Sequence, residues 1–158
     1  MTGPAPRTKL DDTRDALHAA LVRTLAAAGW GPERAHRMPP RQPVAPCGWV
    51  DAFTLSQGHT EEVPMTAATV PVVLLVDGAS PDQVARLDVL MAHGWVELTA
   101  AATKPFGPAI LTAGPDTIDL GGAETRAVVF QVQVPLMVRT LCHSTLTPSD
   151  GAPSPDVP

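Results

Sequence analysis

The side chains in this sequence able to do acid–base, nucleophilic or metal chemistry are few and scattered. Five histidines occur, His18, His36, His59, His93 and His143, with two cysteines, Cys47 and Cys142. Cys142-His143 is the one Cys–His neighbour pair. Adjacent residues of a strand point to opposite faces, which separates the two as ligands of one metal, and no second pair stands at ligand spacing. A buried thiol beside an exposed imidazole is the expectation. Cys47, next to Gly48-Trp49, has no acid or imidazole partner fixed by local sequence and reads as a small core hydrophobe. Glu61-Glu62 with His59 sets carboxylates near an imidazole, a grouping that a polar loop explains equally well. There is no G-x-S-x-G, Walker A or G-x-G-x-x-G motif; Gly29-Trp30-Gly31 lacks the third glycine and follows no strand. The arginines around residues 34–41 have only Trp30 as a nearby aromatic, which argues against a nucleic-acid platform. No catalytic group, cofactor or metal is expected.

Composition sets the frame for these residues. A length of 158 residues predicts one domain with an ordinary hydrophobic core. Apolar residues are 44% of the chain and no apolar run reaches membrane-spanning length, so a soluble globular protein is expected. The first residues lack the apolar stretch of a secretory signal, leaving the cytoplasm as default, and two cysteines make no disulfide framework. The net charge of −5 is unevenly spread. Residues 1–42 carry seven basic side chains against four acidic ones, a net of +3, and the remainder carries four against twelve, a net of −8. That asymmetry fits complementary surfaces between subunits, or merely solvated charge.

The firmest element runs through residues 69–98. Residues 70–76 (VPVVLLV) form a β-branched apolar run and predict a buried strand. Ser80-Pro81-Asp82-Gln83 then opens a helix as a capping box with proline at the first helical position. Val84, Leu87, Leu90 and Met91 follow at helical spacing, and His93-Gly94 is expected to end the helix, with Gly94 in the left-handed conformation. Residues 95–98 then read as extended, and residues 99–115 as a long loop of the kind that often carries function.

The remaining elements follow the same rules. Residues 1–9 read as a flexible arm. Asp11 or Asp12 caps a helix to about Ala28, with Leu17, Leu21 and Leu25 on one face and Gly29 ending it. Residues 31–46 hold too many prolines for a helix. Residues 47–53 alternate, with Cys47, Trp49, Asp51 and Phe53 on one side of a strand. Residues 117–120 and 124–138 predict a short and a long strand joined at Gly121-Gly122, with Pro135 confined to an edge or bulge. Residues 144–158 read as a disordered Ser/Pro/Asp tail. The expected class is α+β in the order α-β-β-α-β-β: a small mixed or antiparallel sheet of about four strands with two main helices on one face, spanning residues 10–143.

This pattern resembles the tail terminator (tail completion) proteins of long-tailed bacteriophages. The resemblance rests on the helix DALHAALVRTLAAAGW, the extended PCGWVDAF, the strand and capped helix VPVVLLVDGASPDQVARLDVLMAHG with Ser80, Leu87, Asp88 and Leu90, and the closing ETRAVVFQVQVPLMV. It implies a structural virion protein without cofactor. Such a protein forms a hexameric ring on the last ring of the major tail tube protein, ends tube polymerisation and presents the surface that docks a head-closure or neck protein. It also implies location in the virion tail or neck, and in the host cytoplasm during assembly. No membrane and no specific nucleic-acid binding are implied, although the genome would pass through the ring. By charge alone, Arg34, Arg37 and Arg41 would meet Glu61, Glu62 and Asp77 of a neighbour. Another neck component, whether head-closure or minor capsid protein, is the structural alternative; a small enzyme or ligand-binding domain has no motif behind it.

Overall fold

The apolar run at residues 70–76 is the second half of a longer central strand. The computed structural model describes residues 3–57, 65–76, 81–106, 110–137 and 141–142. Its elements are α1 (Lys9–Ala27), a 3-10 turn (Pro32–Arg34), β1 (Ala35–His36), β2 (Cys47–Val50), β3 (Thr54–Gln57), β4 (Met65–Leu75), α2 (Pro81–Phe106), β5 (Ile110–Asp119) and β6 (Glu124–Met137). The strands form one sheet in the order β1-β2-β4-β6-β5, with β3 also on β4. All pairings are antiparallel except the short parallel contact of β1 with β2. The α+β class with two main helices is as expected; the sheet has six strands instead of about four.

Three prolines sit inside strands, and the ladder's alternation decides where each missing donor points. The Asp51 N–H donates to the Pro71 carbonyl at 2.8 Å, so Pro71 turns its backbone groups toward the β2–β3 side of β4. In an antiparallel ladder a residue's N–H and C=O share one side, and the side alternates along the strand. The missing donor of Pro71 therefore falls in the gap between β2, which ends opposite Val72, and β3, which begins opposite Thr69. Residues 72 and 130 then face each other, which directs Pro135 of β6 away from β4 and toward the β5 side. The same alternation aims the nitrogen of Pro115, opposite Val128, at the outer edge of β5. The Pro115 nitrogen thus costs the sheet no ladder bond, and at Pro71 only the return bond to Asp51 is missing.

The gap at Pro71 also corrects the alternation expected for residues 47–53. Three residues, 51–53, stand opposite only two of β4, Val70 and Pro71. This extra residue is a bulge and reverses which face the chain presents. Phe53 consequently packs against the helix-covered core, while Cys47 and Trp49 belong to the opposite face.

The eleven registered pairs of β4 with β6 set the two faces of the sheet. Val70, Val72, Leu74, Phe130, Val132 and Val134 turn to one face, where Leu17, Leu21 and Leu25 of α1 and Leu87, Leu90 and Leu98 of α2 cover them. Trp49, Val73, Leu75 and Ala127 make a smaller buried group on the other face with Ile118 and Leu120.

The helix ends differ from expectation. Thr8, not Asp11 or Asp12, caps α1: its hydroxyl accepts from the Asp11 N–H, and the Asp11 carboxylate accepts from the Thr8 N–H at 2.9 Å. α1 thus begins inside the stretch read as the arm, and the Lys9 N–H donates to the Leu141 carbonyl. α2 does not end at Gly94. It runs on to Phe106, so residues 95–98 are helical, and the expected loop at 99–115 is the end of α2 followed, past undescribed residues 107–109, by the first half of β5. The apolar stripe explains why: Leu87, Leu90, Gly94, Leu98, Ala101 and Ala102 are all buried and keep the helical period through the glycine. Gly94 is a point of close approach, since a Cβ there would meet the Phe130 ring, with Cε2 only 2.8 Å away. Gly121 and Gly122 form the expected hairpin turn, both at positive φ (68° and 94°). The proposed cap Ser80 and the segment 144–158 lie outside the described residues.

Two substitutions test this packing. Leu87→Ala is expected to destabilise the protein by about 2–5 kcal/mol, as truncation of a buried core leucine does. Gly94→Ala gains about 1 kcal/mol of helix propensity but overpacks Phe130, typically costing about 1–3 kcal/mol, so a net loss is expected. Urea unfolding of both variants checks this; a more stable Gly94→Ala protein would remove the Phe130 contact.

Candidate functional site

Among the described residues, the groups singled out for chemistry do not converge; His59, Glu61 and Glu62 lie outside them. His18 Nε2 lies 3.2 Å from the Ala35 carbonyl, a core-facing contact between α1 and β1. Cys47 is buried, and burial pushes its thiol above the ordinary value. Cys142 is exposed and lies opposite Thr8 in an isolated antiparallel bridge, which corrects the expectation of a buried thiol; His143 lies outside the described residues. His93 is exposed on α2. Among the described residues no group of three or more His, Cys, Asp and Glu side chains is placed to hold a metal. No helix among them is long and apolar enough to cross a membrane.

Charge, in contrast, is organised around the start of α1. Arg37 Nε donates to Asp15 at 2.6 Å and its Nη2 lies 3.5 Å from Asp11; Arg7 Nη2 reaches Asp12 at 2.8 Å and Asp15 at 2.7 Å. Arg37 holds the Asp15 carboxyl below the ordinary carboxylate value, and the Thr8 N–H does the same for Asp11. Arg14 lies deeper. Its Nη1 donates to the Val50 carbonyl at 2.8 Å and the Arg37 carbonyl at 3.1 Å, and its guanidinium stacks 5.1 Å from the Phe53 ring centre. One cation thus pins the end of β2 and the start of the 37–46 loop to α1. Arg23 pairs with Glu97, tying α1 to α2.

Of the residues assigned by charge to a subunit contact, Arg34, Arg37 and Arg41 share the segment between the 3-10 turn and β2. Arg37 is engaged within the chain, Arg34 is half-buried at the end of the turn, and Arg41 is exposed. Glu61, Glu62 and Asp77 lie outside the described residues.

A surface not foreseen in the sequence lies at the other edge of the sheet. Asp88, Met91, Ala92 and Trp95 of α2 and Ala113 of β5 line an open, mainly apolar groove of about 340 Å³. Trp95 is 45% exposed, and Val89 and Val96 on the same helix are exposed too. The signal was in the sequence: residues 88, 91, 92 and 95 lie on one helical face once α2 is allowed past Gly94. No family model matches the chain, and no curated protein is similar to it.

The ion cluster makes a pH prediction. The folded carboxylates of Asp11 and Asp15 titrate below their unfolded values. Their contribution is therefore full above about pH 4, the ordinary aspartate range, and is lost as pH falls through the folded values. These side chains are substantially exposed, so the effect is at most about 1 kcal/mol. Asp15→Asn should lower the melting temperature at pH 7, with the gap to wild type closing by about pH 2. A gap that is constant with pH would show that the Arg37 pairing adds nothing.

Proposed function

We propose that this chain is a tail terminator: a structural virion protein that closes as a hexameric ring on the end of a phage tail tube, stops tube growth and forms the docking surface for the head. The observation that carries this reading is the resemblance of the helix, apolar strand, capped helix and Gly-turned hairpin over residues 10–143 to that family. The α+β layer, with both helices on one sheet face, is compatible with the small α+β domain the family implies. A ring of identical subunits needs two different patches on each copy, one donating and one receiving. The two edges of this sheet differ in this way, with the arginine-bearing 37–46 loop near β1 and the groove near β5. The role asks for no catalytic group, cofactor or metal.

Light scattering on the full chain, alone and with purified tail tubes, tests the proposal, with electron microscopy of tube ends. The expected result is an assembly about six times the 16.5 kDa chain mass and a ring on one end of each tube. A protein that stays monomeric with tubes present removes the terminator role. Binding to heads but not to tubes would move it to the neck alternatives.

A further inference from the structure

The proline-rich loop between β1 and β2 has a period of three. Pro40, Pro43 and Pro46 are half-buried, whereas Met38, Pro39, Arg41, Gln42 and Val44 are exposed, Met38 and Val44 by 55% and 66%. Prolines fix φ near −65° and stiffen this loop, which bends at residues 37–38, 41–42 and 45–46. Within the exposed set Met38 and Val44 flank Arg41, an apolar–cation–apolar order on a proline-stiffened loop. Arg14 and Arg37 fasten the start of that segment to α1.

The groove at the opposite edge is its chemical complement. It offers a half-exposed indole at Trp95, apolar walls from Met91, Ala92 and Ala113, and one exposed carboxylate at Asp88. A proline-stiffened loop suits an aromatic-lined groove, because little ordering entropy remains to be lost on docking. A flanking carboxylate selects a cationic residue in the segment. β1 and β5 are four strand spacings apart, about 19 Å, so the loop of one chain does not fill its own groove. Strand addition at the β5 edge is disfavoured by the donor that Pro115 lacks there, which leaves side-chain docking. Residues 144–158 carry acids and no basic side chain, and so do not complement Asp88.

We infer that the groove formed by α2 and β5 receives the 37–46 loop of a second copy of this chain, with Met38 and Val44 against Met91 and Trp95 and Arg41 on Asp88. The contact is heterologous, so each copy keeps one free loop and one free groove. The inference rests on the ring reading for its occupant and names the surfaces the ring would use. It moves the acidic side of the contact from Glu61, Glu62 and Asp77 to Asp88.

The test uses two full-length variants whose changes lie at exposed positions, with folding checked by thermal melting. The loop variant carries Arg41→Glu and Val44→Glu; the groove variant carries Trp95→Lys. Sedimentation should show each weakened at least tenfold in self-association. Mixed one to one, they should form a dimer and nothing larger, since one intact loop meets one intact groove. Arg41→Glu combined with Asp88→Arg in one chain should restore assembly that either change alone impairs. Variants that associate like wild type, or a mixture that stays monomeric, overturn the inference. If wild type still caps tail tubes in that case, the ring reading stands without this interface. If the mixture dimerises but wild type grows open filaments instead of a closed ring, the interface stands and the terminator reading falls.

Discussion

The structure depends on the ladder between β4 and β6. Eleven consecutive pairs without a slip decide, residue by residue, which side chains meet the helices and which turn to the opposite face. A one-residue shift of β6 against β4 would turn Phe130, Val132 and Val134 out of the core together, because side chains alternate with period two. The hydrogen bond from Asp51 to Pro71 belongs to the same constraint. It fixes the phase of backbone groups along β4, and from that phase follow the break between β2 and β3 and the outward-facing nitrogen of Pro115. A proline in a central strand usually argues against the strand. Here the neighbouring strand is interrupted where the donor is missing.

What the sequence made legible was whatever depended on local period. The apolar run of β4, the leucine face of α1, the alternation of β6 and the Gly121-Gly122 turn all follow from spacing alone. The failures share a cause: a local stop signal was overruled by a contact distant in sequence. Gly94 looks like a helix terminus until Phe130 is placed beneath it. Residues 47–53 look like one strand until Pro71 is placed opposite them. The cap of α1 is a different case. Thr8 and Asp11 stand at capping-box spacing, and the box was legible three residues earlier than the aspartates suggested.

The candidate site was less legible, because net charge does not say which charges are already engaged. The +3 of residues 1–42 suggested a basic surface. In the folded chain Arg7 and Arg37 meet aspartates of the same segment, Arg14 is turned inward, and Arg23 meets Glu97 of α2. Such exposed pairs add little stability individually. Their consequence is compensation: with Arg14 turned inward, four of the seven cations already have partners within the chain, while Arg41 is exposed on the loop.

The same logic bears on where a partner gains affinity. Exposed ion pairs orient a contact and speed encounter, while desolvated apolar groups supply most of the binding free energy. An interface drawn from charge sums alone would therefore be weak, however well its signs matched. The groove changes that balance, because Trp95 and Met91 provide an aromatic and a thioether surface beside a single carboxylate. The loop supplies apolar side chains on a backbone that prolines have already restricted, so less freedom is lost when it docks. Charge then acts as the selector: Asp88 favours a loop with arginine at its centre over one without it. Stiffness on one edge and an indole on the other thus make the two ends of this sheet unlike and mutually suited, a property that only becomes visible once α2 is followed past Gly94.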